Sequence, residues 1–335
     1  MALTGWFIGM QDSVSAMVAD VTVNGMNILM SFVLALGLTI GGREIVSGMG
    51  FAGIAAGTVT AQWTGLLISL LIVAFKYRRD TMSQLTTGDL KELFRGGETR
   101  RFFVMNANLF VRSLCFIAIY IGFTIISARY GDTLLAVFSI MMKLLMIFSY
   151  FTDGFAYAGE ALTGRYVGAR DALGLRQTVK WTFVWSMGLA VMFMGIYHFA
   201  GVPMLRMMTS DPTVVDASRA FLPWLLLMPV VGCAAFTWDG IYIGATASRQ
   251  MRDSMLWAVA GFVLVWAVGI LVLQQVVPNS TLPAQLASTI PDSPASDRYG
   301  RLAMHILMGA YFAHLLARTL YLSLKYRSLQ PFSRH

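Results

Sequence analysis

The stretch SMLWAVAGFVLVWAVGILVLQQVV, residues 254–277, decides the fold class because it contains no charged side chain. A helix needs about 20 mostly apolar residues to cross the hydrocarbon core of a bilayer. Backbone N–H and C=O groups cannot stay unpaired in hydrocarbon, so an apolar run of this length is predicted to be a transmembrane helix.

Seven further runs share this length and apolar character. The predicted spans are 14–38, 47–75, 104–128, 134–162, 180–202, 220–246, 254–277 and 301–324. The alternating segments of about ten residues that build a membrane β-barrel are not seen in the sequence. We therefore predict an all-α integral membrane protein, a polytopic helical bundle with about eight transmembrane helices.

The composition agrees with lipid as the solvent, since 57% of residues are hydrophobic and 13% are charged. A soluble domain carries about 25% charged residues. The net charge of +8 could favour nucleic acid, but Lys and Arg gather at the ends of apolar runs, so no nucleic-acid partner is expected. The histidines and cysteines form no ligand pattern, so neither a metal site nor a cofactor is expected.

The distribution of Lys and Arg predicts the orientation in the membrane. With residues 76–103 in the cytoplasm, 16 of these side chains fall on the inner side and six on the outer side. The positive-inside rule then places both termini in the cytoplasm. The predicted location is the bacterial inner (plasma) membrane, with the chain as a multi-pass protein.

Residues 5–78 resemble residues 240–327. Both segments begin with a Gly-xxx-Gly pentapeptide, at 5–9 and 240–244, and both end in Lys-Tyr-Arg. Parallel repeats of this kind occur in some transporters. Four spans precede the second copy and none precedes the first. We therefore expect a chain lacking the first four helices of a twelve-helix, two-lobed protein; an eight-helix protein is the alternative.

The expected domain organisation follows from this repeat. It is a two-span remnant of an N-terminal lobe at 1–75, a cytoplasmic interlobe linker at 76–103, a six-span C-terminal lobe at 104–327 and a cytoplasmic tail at 328–335. The Gly-xxx-Gly pairs at 5–9, 53–57 and 240–244 predict close helix packing.

Four motifs resemble those of the MATE family of multidrug and toxic compound extruders, in particular its DinF-like branch. They are GIAAGTVTAQW at 53–63, DGFAYAGEAL at 153–162, GRYVGAR at 164–170 and WDG at 238–240. The resemblance extends over essentially the whole chain, aligned with the last eight of twelve helices. It implies two six-helix bundles and a secondary active transporter, not an enzyme. It also implies export of organic cations or amphiphiles, driven by inward sodium or protons.

Charged residues inside membrane spans are costly and are therefore functional candidates. Asp239 lies in an apolar stretch beside Trp238, where the resemblance places a cation-coupling carboxylate of some relatives. We expect Asp239 to couple Na⁺ or H⁺ and Trp238 to line the substrate pathway. The alternative is a structural carboxylate near a helix end that pairs with a nearby arginine.

A second group of candidates lies in the span 134–162. Asp153, Tyr157 and Glu160 follow i, i+4, i+7 spacing and share one helix face. They are predicted to contribute to cation coupling at Asp153 and to the substrate pathway at the other two, or to hold the fold through a Glu160–Arg165 pair. Lys143 is predicted either to influence substrate preference or to pair with an acid on another helix.

A third group lies in the first two spans. Asp20, Asn24 and Asn27 form a polar stripe, in which Asp20 is a candidate for cation coupling, and the resemblance matches Asn27 and Thr58 to a cation site. The carboxylate that the family places one turn beyond this Asn aligns with Ser31. Alternatively, the polar side chains of this stripe form hydrogen bonds between helices. Two more charged residues, Arg112 and Arg318, are expected to extend to the membrane interface.

The predicted function is a cation-coupled antiporter that exports drugs or other organic amphiphiles by alternating access. The expected partners are a small amphiphilic or cationic substrate and membrane lipids, and the chain is expected to be a monomer. A lipid-linked oligosaccharide flippase of the same superfamily is one alternative, and an inactive fragment is another. A membrane-embedded enzyme would need paired catalytic groups, which the sequence does not present.

Overall fold

The computed structural model describes residues 2–40, 43–77, 97–276 and 294–329. The chain divides into two compact units, unit 1 at Met1–Arg100 and unit 2 at Arg101–His335. The predicted linker 76–103 lies largely outside the described residues, as do the loop at 277–293 and most of the tail. The predicted domain organisation therefore stays a prediction.

Unit 1 is a pair of long helices with a short helix before them and a hairpin between them. Its elements are α1 (Ala2–Gly9), α2 (Ser13–Leu36), β1 (Leu38–Ile40), β2 (Arg43–Val46) and α3 (Phe51–Lys76). The strands pair antiparallel. Asp12 caps α2 by accepting a hydrogen bond from the Ser15 N–H, which satisfies one of the amides that a helix N-terminus leaves free. The hairpin was not predicted from the sequence.

Unit 2 is a bundle of long helices around one apolar core. Its elements are α4 (Gly97–Ala128), α5 (Asp132–Gly168), α6 (Ala172–Met208), α7 (Pro212–Arg219), α8 (Leu222–Gly244), α9 (Ser248–Val276), α10 (Pro294–Lys325) and a 3₁₀ turn (Tyr326–Leu329). Its buried centre includes Phe123, Phe138, Leu144 and Phe148. The α5 helix packs against α6 and α8, and α9 packs against α10.

Seven helices of the described chain, α2 to α6, α8 and α9, are long and apolar enough to cross a membrane. This confirms the predicted all-α membrane fold class. The eighth predicted span, 301–324, does form a helix, α10, but it is not among the seven. Two histidines and two arginines lower the hydropathy of this segment.

Glycines set the closest helix contacts. A Cβ on Gly240 of α8 would lie 2.1 Å from the Ala156 carbonyl oxygen of α5, and one on Gly244 would lie 2.2 Å from the Glu160 carbonyl oxygen. In unit 1, a Cβ on Gly53 would lie 2.2 Å from the Leu34 carbonyl oxygen. Small residues let helix backbones approach in this way, so the close packing predicted at 240–244 and 53–57 is confirmed. It is not found at 5–9, where a Cβ would meet no described atom within 4 Å.

The two copies of the repeat share one helix-ending turn. The Gln11 N–H bonds the Ile8 carbonyl at 2.9 Å, and the Thr246 N–H bonds the Ile243 carbonyl at 2.8 Å. The next N–H in each copy reaches one residue further back, to Phe7 and to Tyr242. This is the Schellman pattern, which requires the positive φ of 59° at Gln11 and 54° at Thr246. A third such turn, centred on Arg170, follows α5.

The contact between α5 and α8 predicts the effect of one methyl group. We expect Gly240→Ala to lower the free energy of unfolding by about 1–3 kcal/mol, because the added carbon overlaps the Ala156 carbonyl. The matched control is Gly188→Ala in α6, where a Cβ would meet no described atom within 4 Å. Unfolding of both variants in mixed micelles tests this, and equal stability of the two would contradict the tight contact.

Candidate functional site

The charged centre of unit 2 is a carboxylate shared by two arginines. Asp239 of α8 accepts through Oδ2 from Arg112 Nη2 of α4 and forms an ion pair through the same oxygen with Arg318 Nη2 of α10. The side chains of Asp239 and Arg112 are 15% and 24% exposed, and that of Arg318 is 2% exposed. One acidic side chain therefore joins three helices; we call this group the Arg-Asp-Arg triad.

Neighbouring hydrogen bonds fix the position of α8 beside α10. The indole N–H of Trp238 donates to Ser323 Oγ at 2.9 Å, and the Tyr242 hydroxyl donates to the Leu322 carbonyl at 2.6 Å. The Trp238 side chain is buried and contacts the rings of Phe183 and Tyr326. The indole is thus part of the packed core, and its predicted place in a substrate pathway stays a prediction.

The triad limits what Asp239 can do. Two guanidiniums neutralise the carboxylate, so a cation approaching Asp239 would meet a formal excess of positive charge. Of the two interpretations made from sequence, the geometry favours the structural carboxylate paired with arginine. The interface positions expected for Arg112 and Arg318 are wrong, because both side chains turn to Asp239.

The acids of α5 lie in a different environment. Asp153 and Glu160 are half-buried, and neither forms an ion pair with any residue that the structure describes. The predicted Glu160–Arg165 pair is accordingly absent from the described contacts. Tyr157, on the same face by spacing, is half exposed. These two carboxylates are candidates for binding a proton or a cation, since a charge in an apolar span needs a partner.

Lys143 lies earlier in α5, and its side chain is exposed. Among the described residues it forms no ion pair. No described contact supports either of the two roles predicted for Lys143.

A cluster of oxygen atoms joins α2 and α3 in unit 1. Ser31 Oγ and Thr58 Oγ1 both donate to the Asn27 side-chain oxygen, at 3.1 and 3.2 Å. The structure thus brings together the residues that the family resemblance grouped. Asp20 is exposed two turns away on α2, and its carbonyl accepts from the Asn24 side chain.

An ion pair ties the two ends of unit 1 together. Asp12 Oδ2 accepts from Lys76 Nζ at 2.6 Å and from the Tyr77 hydroxyl at 2.7 Å. Burial acts to raise the pKa of the Asp12 carboxyl, but hydrogen bonds from Lys76, Ser15 and Tyr77 outweigh it and hold the pKa well below its usual range. From the sequence, Lys76 and Tyr77 were identified only as part of the Lys-Tyr-Arg sequence that ends the repeat. Their contact with Asp12 was not predicted.

A cleft of ≈ 340 Å³ lies between α5 and α6. Four of its ten lining residues are aromatic, including Trp181 and Trp185, and three are polar: Gln177, Thr178 and Thr182. None of the residues predicted for cation coupling or for the substrate pathway lines it.

Comparison with known proteins confirms the resemblance to MATE proteins. Residues 109–271 match the family model described as MatE. The chain is 33% identical over 264 residues to DNA damage-inducible protein F of Escherichia coli K12, covering 79% of this chain and 55% of that protein. It is 26% identical over 266 residues to the probable multidrug resistance protein NorM of Photorhabdus laumondii, covering 76% and 56%. The chain thus spans about half the length of these curated relatives.

Solved structures show the same fold at low sequence identity. A crystal structure of MATE in the bent conformation matches with a TM-score of 0.64 at 15% identity, covering 97% of this chain and 64% of that one. A MOP superfamily transporter from Pyrococcus furiosus, described as having a binding pocket of reverse polarity, matches with a TM-score of 0.62 at 16% identity, covering 95% and 64%.

The ion pair of Asp12 predicts a stability that depends on pH. A carboxylate whose pKa is depressed in the folded state stabilises the fold above its ordinary pKa of 3.8 and loses this contribution as the pH falls. We expect the melting temperature of the wild type to drop progressively below that pH. Asp12→Asn should melt lower at neutral pH and show a flatter acid limb.

The control is Asp20→Asn, which removes an exposed carboxylate of the same unit. It should keep the acid limb of the wild type. A wild-type profile that coincides with that of Asp12→Asn across the acid range would contradict the role of the Asp12–Lys76 pair.

Proposed function

We propose, on the basis of the MatE match at residues 109–271, that this chain acts in the export of small amphiphilic or cationic molecules across a membrane. The proposed mechanism is antiport by alternating access, coupled to Na⁺ or H⁺. The observation that carries the coupling is the pair of carboxylates Asp153 and Glu160. They lie on α5, a helix long and apolar enough to cross a membrane, without an ion-pair partner among the described residues.

The contrast with Asp239 supports a coupling role for the acids of α5. An isolated carboxylate in an apolar surrounding is costly when charged, so binding of a proton or a cation compensates it. Asp239 is already compensated twice by arginine. Asp153 and Glu160 are therefore the groups of unit 2 whose charge an imported ion could neutralise. Exchange of that ion for a substrate would couple the two movements.

The oxygen cluster of unit 1 supports a second ion position. Asn27, Ser31 and Thr58 present neutral oxygen ligands, the type that a hard cation such as Na⁺ prefers, and their mutual hydrogen bonds hold them close. Amide and hydroxyl oxygens, unlike a carboxylate, do not bind a proton near neutral pH. This cluster therefore favours Na⁺ over H⁺ at that position.

The proposed setting is the bacterial inner membrane, with both termini cytoplasmic and the chain as a monomer. Seven helices with the length and apolarity of spans support a multi-pass protein. The excess of Lys and Arg on one side of the predicted spans supports the orientation. Membrane lipids would then surround the exposed apolar side chains of α2, α3 and α9.

A lipid-linked oligosaccharide flippase is the second candidate. The observation in its favour is the formal positive excess of the Arg-Asp-Arg triad, since such a carrier would bring a phosphate group through the protein. An inactive fragment remains the third alternative, in keeping with the length of the chain relative to its relatives.

Transport by the purified chain in proteoliposomes tests the proposal. We expect a fluorescent organic cation to move only when a Na⁺ or pH gradient is imposed. Asp153→Asn should lower the rate about tenfold or more, because the amide of Asn has no negative charge to which the coupling ion could bind. Asp216→Asn is the matched control, since the Asp216 side chain is 72% exposed on α7, outside the spans.

Two outcomes would contradict the proposal. One is gradient-driven transport by Asp153→Asn and Glu160→Gln at the wild-type rate, which would remove the α5 acids from coupling. The other is the absence of gradient-driven movement by the wild type, which would favour the fragment alternative.

A further inference from the structure

The Arg-Asp-Arg triad leaves one positive charge of unit 2 without a counter-charge. The two guanidiniums share one carboxylate oxygen, and the described residues supply no second acid to either arginine. Holding an uncompensated charge inside an apolar bundle is unfavourable. The site as it stands therefore lacks one negative group.

Unsatisfied hydrogen-bond donors also indicate that the site lacks a negative group. Arg112 Nε, Arg318 Nε and Arg318 Nη2 are buried, and none of the three forms a hydrogen bond with a described residue, although Arg318 Nη2 forms the ion pair with Asp239. Arg318 itself is 1% exposed, so bulk water does not complete its donors. Thr319 Oγ1, the next residue along α10, is likewise buried without a described partner. Buried donors of this kind are normally satisfied, so a missing acceptor is indicated.

We propose that the Arg-Asp-Arg triad is an exchangeable anion site, which takes a carboxylate or phosphate group on an amphiphilic molecule. The guanidinium edge of Nε and Nη matches two oxygen atoms of such a group in a bidentate arrangement. The inference names a substrate class for the proposed exporter and rests on that function for its biological role. Binding itself requires no transport.

The two arginines have different parts in the exchange. Arg112 has 24% of its side chain exposed and is the accessible member, whereas Arg318 has 2% and stays with Asp239. When an anion arrives, Arg112 turns from Asp239 to the anion. The site then holds two neutral pairs, Arg112 with the anion and Arg318 with Asp239. The incoming anion thus removes the charge excess, and Asp239 acts as its competitor.

Binding of a defined anion to the full chain tests the proposal. The probe is 1-naphthoate, measured by calorimetry on the protein in phosphatidylcholine nanodiscs, with 1-naphthylmethylammonium as the cation of matched shape. We expect the wild type to bind the anion through Arg112, whereas any binding of the cation should not depend on Arg112. Arg112→Gln should weaken anion binding about tenfold to a hundredfold, the loss expected for a charged hydrogen bond. Arg206→Gln, which removes an exposed arginine of α6, should bind as the wild type does.

A second variant gives a change of opposite sign. Asp239→Asn removes the competing carboxylate, so 1-naphthoate should bind more tightly than to the wild type and should raise the melting temperature of the variant more. A merely structural triad predicts no gain in anion affinity.

The lipid composition distinguishes a free anion from a lipid phosphate. If a lipid headgroup fills the site, adding phosphatidylglycerol to the nanodiscs weakens naphthoate binding to the wild type, and this competition disappears in Arg112→Gln. If free anions are the ligands, the effect of the lipid is the same in the two proteins. Either result supports the site.

Three results would overturn it: no naphthoate binding by the wild type, an equal loss of anion and cation binding in Arg112→Gln, or wild-type affinity for naphthoate in Arg112→Gln. Because these measurements use no ion gradient, they are independent of the transport assay. Loss of coupling in that assay would leave the anion site standing, and the reverse also holds.

Discussion

One carboxylate must compensate two guanidiniums inside an apolar helix bundle, and the arrangement of unit 2 depends on this constraint. Asp239 joins α4, α8 and α10 through Arg112 and Arg318. Removing one partner of a buried ion pair costs about 3–5 kcal/mol, since the remaining charge cannot be hydrated. Asp239 is consequently held between arginines, whereas Asp153 and Glu160 have no such partner among the described residues.

Those carboxylates lie on a helix that is held firmly on another side. The α5 backbone contacts Gly240 and Gly244 of α8 at distances that exclude any side chain. Asp153 and Glu160 therefore lie on a rigid support, which is the situation that a site for a small ion requires. The arginine-paired Asp239 and the unpaired Asp153 and Glu160 thus lie on neighbouring helices, α8 and α5.

Much of the fold could be predicted from the sequence, because spans depend on the local length and apolarity of the chain. The run at 254–277 and the other apolar runs became helices for this reason. The glycine pairs at 53–57 and 240–244 were also predictable, since their spacing places both residues on one helix face. The sequence repeat indicated that the two segments have similar structures, and the structure shows the same turn in both, at Gln11 and Thr246.

The partners of charged residues could not be predicted, since they depend on contacts between distant parts of the chain. Arg112 and Asp239 are 127 residues apart, and nothing local to Arg112 distinguishes a pairing arginine from one that extends to the interface. The presence of one acid and two arginines in three spans was the available signal. The hairpin between α2 and α3 was missed because the apolar runs on both sides of it nearly meet.

Compensation of two buried arginines by Asp239 can be measured by comparing single and combined neutralisation of the Arg-Asp-Arg triad. The free energy of unfolding in mixed micelles would be measured for Asp239→Asn and for the triple variant Arg112→Gln, Asp239→Asn, Arg318→Gln. We predict that the single variant loses about 3–5 kcal/mol and that the triple variant recovers most of this loss, because it leaves no uncompensated charge. A single variant as stable as the wild type, or a triple variant no more stable than the single one, would mean that Asp239 does not compensate the two arginines.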